Sequence, residues 1–215
     1  MISNTIINIA LSYLIGSTSG SLILGKLKGV DIRNLGSGNA GGTNAFRTQG
    51  FTFAFGVVLI DVLKGFISAK YISDLMIFKS EFIGTSELNL LLCGFAAVVG
   101  HVYPIYHGFK GGKGAGAGMG MLFALHPLSI GVAIFHWIGI LVLTGFVGFG
   151  TIVAASSIPI YLFISGEYLK FDYYPILSIL LALFIIFTHR SNIGRMIQGN
   201  ENQFKKIMIL KRLFN

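Results

Sequence analysis

Charge is what this chain has least of. Only 11% of its 215 residues are Asp, Glu, Lys or Arg, against 53% hydrophobic, and the mean hydropathy is +0.77. A soluble domain carries roughly 25% charged residues, so a normal solvated surface is excluded and lipid must cover much of the exterior. Cysteine is nearly absent as well. The single Cys93 lies in an apolar stretch, which excludes an intrachain disulfide and leaves a small packing residue. No Cys, His and carboxylate cluster has metal-ligand spacing, and no metal is expected. Met1 to Ala10 contains no Lys or Arg, so the basic start of a cleaved signal peptide is missing and the first segment reads as a retained membrane helix. No polar stretch is long enough to fold by itself, so residues 1–215 read as a single integral membrane domain.

Apolar length is abundant. A span needs about 20 mostly apolar residues, and residues 2–25, 51–72, 88–107, 129–147, 149–165 and 174–188 qualify. Region 115–147 as one helix would be about 50 Å long against a hydrocarbon core of about 30 Å. His126-Pro127 interrupts it, because proline removes a donor and restricts the residue before it. Two elements, roughly 115–126 and 128–147, are expected instead. The fold class is an all-α integral membrane bundle of about seven transmembrane helices, the fourth short. Gly16/Gly20, Gly112/Gly116 and Gly116/Gly120 have the small-xxx-small spacing of closely packed helices.

Sixteen Lys and Arg against eight Asp and Glu give a formal charge of +8. In a membrane protein this points to topology and contact with anionic lipid rather than to nucleic acid. With the N-terminus outside, alternating crossings place 26–50, 108–114 and 189–215 on one side. Those stretches hold Lys26, Lys28, Arg33, Arg47, Lys110, Lys113, Arg190, Arg195, Lys205, Lys206, Lys211 and Arg212. Loops 73–87 and 166–173 offer only Lys79 and Lys170 against Asp74, Glu81, Glu87, Glu167 and Asp172. The bias makes the C-terminus cytoplasmic and 202–215 a basic cytoplasmic tail.

Three glycine-rich polar stretches fall on that inner side: Gly36 to Arg47, Gly108 to Gly114, and His189 to Arg195. Gly36-Ser37-Gly38-Asn39-Ala40-Gly41 has dinucleotide-fingerprint spacing, but a lipid-length segment precedes it instead of a strand. Gly108 to Gly114 lacks P-loop register, and Gly114 stands where the metal-binding hydroxyl belongs. What remains is oxyanion chemistry. Glycines can turn backbone N–H groups onto a phosphate, Ser37 and Thr43 add hydroxyl donors, Arg47 offers a bidentate clamp and Lys113 a point charge. Taken alone, each cation reads equally well as topogenic; together on one side they favour an anion site. His189 stands three residues before Asn192 and near Arg195, so these side chains share a helical face, where a histidine can move a proton. His101, His107, His126 and His136 lack comparable polar company and read as packing or interfacial residues. Asp61 and Lys64 lie three apart inside a span, where charges are usually paired or functional. Ser156 and Ser157 suit either a pocket lining or a helix–helix contact.

These residues resemble the bacterial acyl-phosphate-dependent glycerol-3-phosphate acyltransferases. That family's three cytoplasmic motifs are similar to Gly36–Arg47, to Gly108–Gly114 with the preceding Gly100-His101-Val102-Tyr103-Pro104, and to His189–Glu201; Asp61-Val62-Leu63-Lys64-Gly65 matches its Asp-x-x-Lys-Gly segment. Ser19, Gly42 and Gly116-Ala117 depart from its usual proline, alanine and Ala-Thr. The resemblance implies acyl transfer from a fatty acyl phosphate to the 1-hydroxyl of glycerol 3-phosphate, at the cytoplasmic face of a bacterial inner membrane, without a cofactor. On our own reading of the site, Ser37, Arg47, Lys113, His189 and Asn192 are expected to be catalytic. Gly38, Asn39, Thr43, Asn44, Gly111, Gly112, Gly114, Ser156, Ser157 and Arg195 would bind substrate or phosphate, with Asp61, Lys64 and Glu201 in support. The soluble enzyme that makes acyl phosphate is an open partner. An organic-anion transporter and a lipid-binding scaffold stay open as other classes. A transporter would bury its site near mid-membrane, and a scaffold leaves the hydroxyl and Asn pattern unexplained.

Overall fold

The computed structural model describes residues 3–78 and 82–208, without the side chain of Lys206. Lys79, Glu81 and the end of the basic tail, including Lys211 and Arg212, lie outside the described residues. Among those described, the regular structure is helical with no strand. The chain divides into two compact units, residues 1–126 and 127–215. The division falls at the His126-Pro127 break.

In the first unit, α1 (Asn4–Gly16) and α2 (Gly20–Leu27) form a pair bent by 42°. The short α3 (Gly42–Gln49) takes up the second half of the first glycine-rich stretch, where the sequence suggested only loop. It leads through Gly50, at φ +83°, into α4 (Phe51–Ile67), which runs on as π-helix to Ile72. Next come α5 (Ser86–Val102) and the short α6 (Ala115–Leu125). The glycines set the spacing of these helices. Gly16 lies against the backbone of Ala97 and Gly100 against the carbonyl of Tyr13, closing α1 on α5. Gly120 lies against the carbonyl of Val62 and Gly65 against that of Ala117, closing α4 on α6. A Cβ at any of these positions would collide with main chain, so the packing reading of the small-residue spacing holds for Gly16 and Gly120.

The second unit holds α7 (Pro127–Thr144), α8 (Val147–Ser165), α9 (Tyr174–Thr188) and α10 (Arg190–Ile197). Pro127 occupies the first helical position, where its missing N–H costs nothing. The buried Tyr174 hydroxyl donates to Ser129 Oγ at 2.7 Å, tying α9 to α7. The α9–α10 pair bends by 53° at His189.

Among the described residues, four helices are long and apolar enough to cross a membrane: Phe51–Ile72, Ser86–His107, Pro127–Thr144 and Val147–Ser165. Counting each bent pair as one span raises this to six, with Ala115–Leu125 a further short apolar helix.

Candidate active site

The first stretch is a turn organised by one side chain. Asn44 is 2% exposed. Its Nδ2 donates to the carbonyls of Ile32, Leu35 and Asn39 at 2.9, 3.0 and 3.0 Å, and its Oδ1 accepts from Ser37 N at 2.9 Å. Gly36 and Gly38 take φ of +58° and +72°, and a Cβ on Gly36 would strike Asn44 Oδ1. Two expected phosphate donors are therefore reassigned. Asn44 has its amide committed to the loop, and the N–H of Gly38 donates to Leu35 O at 3.1 Å. The exposed Ser37 is left at the tip. Beneath it, Ile32 and Ala45 are fully buried with Phe53, Ala54 and Val57 of α4, which fixes the turn to the helix that follows.

The second stretch corrects a similar expectation. The N–H groups of Gly111 and Gly112 donate to Val102 O and His101 O, at 3.2 and 3.1 Å, instead of facing an oxyanion. Their missing side chains matter for contact: a Cβ on Gly111 would meet the His101 carbonyl and one on Gly112 the His101 ring. The main chain thus lies flat on the end of α5, and Lys113 is partly exposed just before Gly114 (φ +91°) caps α6. A cation there adds to the positive end of a helix dipole. Thr43 stands in the first turn of α3 and His189 caps α10, whereas Arg47 and Arg195 lie in the last turns of those two helices.

Asp61 and Lys64 are paired at 3.1 Å, both almost fully buried, and Lys64 Nζ also donates to Thr18 O at 2.6 Å. The reading of His101 as a residue without polar company is corrected. It is 3% exposed, and its Nδ1 lies 3.4 Å from Asp61 Oδ1, in ion-pair range but off the line of a good hydrogen bond. Forty residues separate the two in sequence, so no local pattern could reveal the contact. This buried triad is the floor under the Gly111-Gly112 backbone.

A second missed residue is Arg33. It is bound through Nε and Nη2 to Asp31, the shortest contact 2.7 Å, while Nη1 donates to His107 O at 3.2 Å and Lys110 O at 3.5 Å. The hydrogen bonds from Arg33 hold the Asp31 carboxyl below the usual carboxylate range, and Asp31 raises Arg33 in return.

In the second unit, His189 is 5% exposed and its Nδ1 lies 2.8 Å from Ile185 O. Donation to that carbonyl puts the proton of the neutral ring on Nδ1 and makes Nε2 the basic nitrogen. The buried Glu201 accepts from Asn192 Nδ2 at 2.8 Å and Arg195 Nε at 2.6 Å, so one carboxylate aligns both donors. Gly148 of α8 packs directly on Asn192. Ser156 and Ser157 line a groove of about 780 Å3 whose other walls include Val132, Phe135, Ile152 and Ile160.

Helices alone among the described residues, several of them long and apolar enough to cross a membrane, define an integral membrane protein with glycine-rich, cation-bearing polar stretches. Residues 6–199 match the sequence pattern of the glycerol-3-phosphate acyltransferase family. Glycerol-3-phosphate acyltransferases of Chlorobaculum parvum and Aquifex aeolicus are 40% and 38% identical, covering 91% and 90% of this chain and 94% and 95% of their own. A crystal structure of PlsY (YgiH), an integral membrane glycerol 3-phosphate acyltransferase, in its glycerol 3-phosphate form is similar with a TM-score of 0.81 at 34% identity, covering 98% of this chain and 99% of that one. Its lysophosphatidic acid form gives 0.78 at 33%, over the same shares. The chain belongs to the glycerol-3-phosphate acyltransferase family.

Proposed function

We propose that this protein transfers a fatty acyl group from acyl phosphate to the 1-hydroxyl of glycerol 3-phosphate, giving lysophosphatidic acid and inorganic phosphate for phospholipid synthesis. The hydroxyl oxygen attacks the acyl carbonyl carbon, that C–O bond forms, the bond to phosphate breaks, and the hydroxyl proton leaves with phosphate or through a base. Acyl phosphate is already activated, so no covalent enzyme intermediate and no cofactor are required. The observation that carries this reading is that Thr43, Lys113 and His189, one from each polar motif, stand at the N-terminal ends of α3, α6 and α10, where anions are favoured.

With the backbone N–H groups of Gly38, Gly111 and Gly112 engaged internally, side chains take the phosphates in this account. Ser37, Arg47 and Lys113 bind and neutralise phosphate oxygens, with Asn39, Thr43 and Gly114 beside them. In the second unit, His189 Nε2 accepts the proton or donates to an anion, and Asn192 and Arg195 orient oxygen atoms under the control of Glu201. Ser156 and Ser157 line the middle of a largely apolar groove, which suits a fatty chain. The charge bias along the chain puts the loops on the cytoplasmic face of a bacterial inner membrane, with about seven crossings in one integral domain. The basic tail then faces the compartment of the soluble enzyme that makes the donor.

The test is purified protein in lipid nanodiscs given acyl phosphate and glycerol 3-phosphate, with lysophosphatidic acid measured by mass. Arg47→Ala and Lys113→Ala should each cost on the order of 10²-fold or more in kcat/KM while eluting as folded protein. Near-normal turnover in both variants would overturn the assignment.

A further inference from the structure

We propose that Arg33 is a positioning residue for the Gly108–Gly114 loop and, through it, for Lys113; this rests on the reading that Lys113 contacts a substrate phosphate. Arg33 lies in a short helical turn (Ile32–Asn34) whose neighbour Ile32 is fully buried in the apolar cluster of α4. Its base is therefore fixed. Its guanidinium is engaged at all three nitrogens, with Nε and Nη2 on the Asp31 carboxylate and Nη1 on the carbonyls of His107 and Lys110.

The two carbonyls that Arg33 grips bracket an uncommon backbone conformation. Gly108 and Phe109 are consecutive left-handed residues, at φ +62° and +60°, and Phe109 is the one non-glycine residue at positive φ among those described. Bulky residues adopt that region only where the surroundings hold them there. The Phe109 ring is 56% exposed, so its burial does not account for the conformation. Arg33 supplies a hold on either side of the strained pair, four residues before Lys113. The role depends on fork geometry, because a lysine carries its charge at one point and cannot span a carboxylate and two carbonyls at once. A merely topogenic arginine would be replaceable by lysine.

The experiment compares parent, Arg33→Lys, Asp31→Asn and Arg33→Lys/Phe109→Gly in nanodiscs by steady-state kinetics and by hydrogen exchange at Gly111 and Gly112. Arg33→Lys should raise KM for glycerol 3-phosphate about tenfold with kcat within about twofold, and should speed exchange at those two amides while α5 stays protected. Phe109→Gly, which takes φ > 0 without strain, should recover most of the KM in that background. Asp31→Asn should weaken the parent and add nothing to Arg33→Lys. Parental KM and exchange in Arg33→Lys, or a glycine that deepens the loss, overturns the proposal. A Lys113→Ala enzyme with parental KM refutes the phosphate reading instead, and the exchange result still decides whether Arg33 holds the loop.

Discussion

Replacing Asn44 by alanine removes four hydrogen bonds at once, three donated to the carbonyls of Ile32, Leu35 and Asn39 and one accepted from Ser37 N. Each such bond contributes about 1 kcal/mol net, so the first loop should lose its single conformation. We expect kcat/KM to fall about 10²-fold with helical circular dichroism retained. Asn44→Asp should be at least as damaging, since it sets a carboxylate against three carbonyl oxygens. At Gly112 the effect is steric. A methyl there meets the His101 ring, and Gly112→Ala should destabilise the protein by about 1–3 kcal/mol, read as a lowered Tm. Asp31 gives a pH signature. Its carboxyl is held below the ordinary range by the Arg33 hydrogen bonds, so the clasp is complete above that range and is lost as pH falls through the lowered value. KM for the parent should rise only on the acid side, relative to an Asp31→Asn enzyme already impaired at neutral pH. In the sequence Asn44 looked like a ligand and His101 like filler. Side-chain type was visible, but the carbonyls around Asn44 and the Asp61 partner of His101 were not.

Helices with strong punctuation were readable. His126-Pro127 ends one and starts the next because proline suits a first helical position and no interior one. The π-helical end of α4 and the small α3 were not. The first needs a register change that no residue pattern marks. The second is an 8-residue helix that is stable through its buried Asn44 and Ala45 instead of through length. Element packing yields its own prediction. Gly100 of α5 lies against the backbone of α1, so Gly100→Val should force the helices apart and abolish recovery of folded protein from detergent. Gly131, with open space around its Cα, should accept alanine with a Tm change under about 3 °C.

For the molecule as a whole, composition points to lipid as solvent and charge bias carries the expected orientation, because those signals sum over the entire chain. Neither speaks to donor chemistry. The proposed phosphate-binding surface next to lipid suits an acyl phosphate, whereas a thioester donor would need a further site for its carrier. The most direct measurement is a reconstitution of the purified chain with glycerol 3-phosphate and either acyl phosphate or acyl-coenzyme A as the sole donor. The account predicts lysophosphatidic acid and equimolar phosphate from acyl phosphate alone. Product only from acyl-coenzyme A, or from neither donor with protein that elutes as folded, would contradict it.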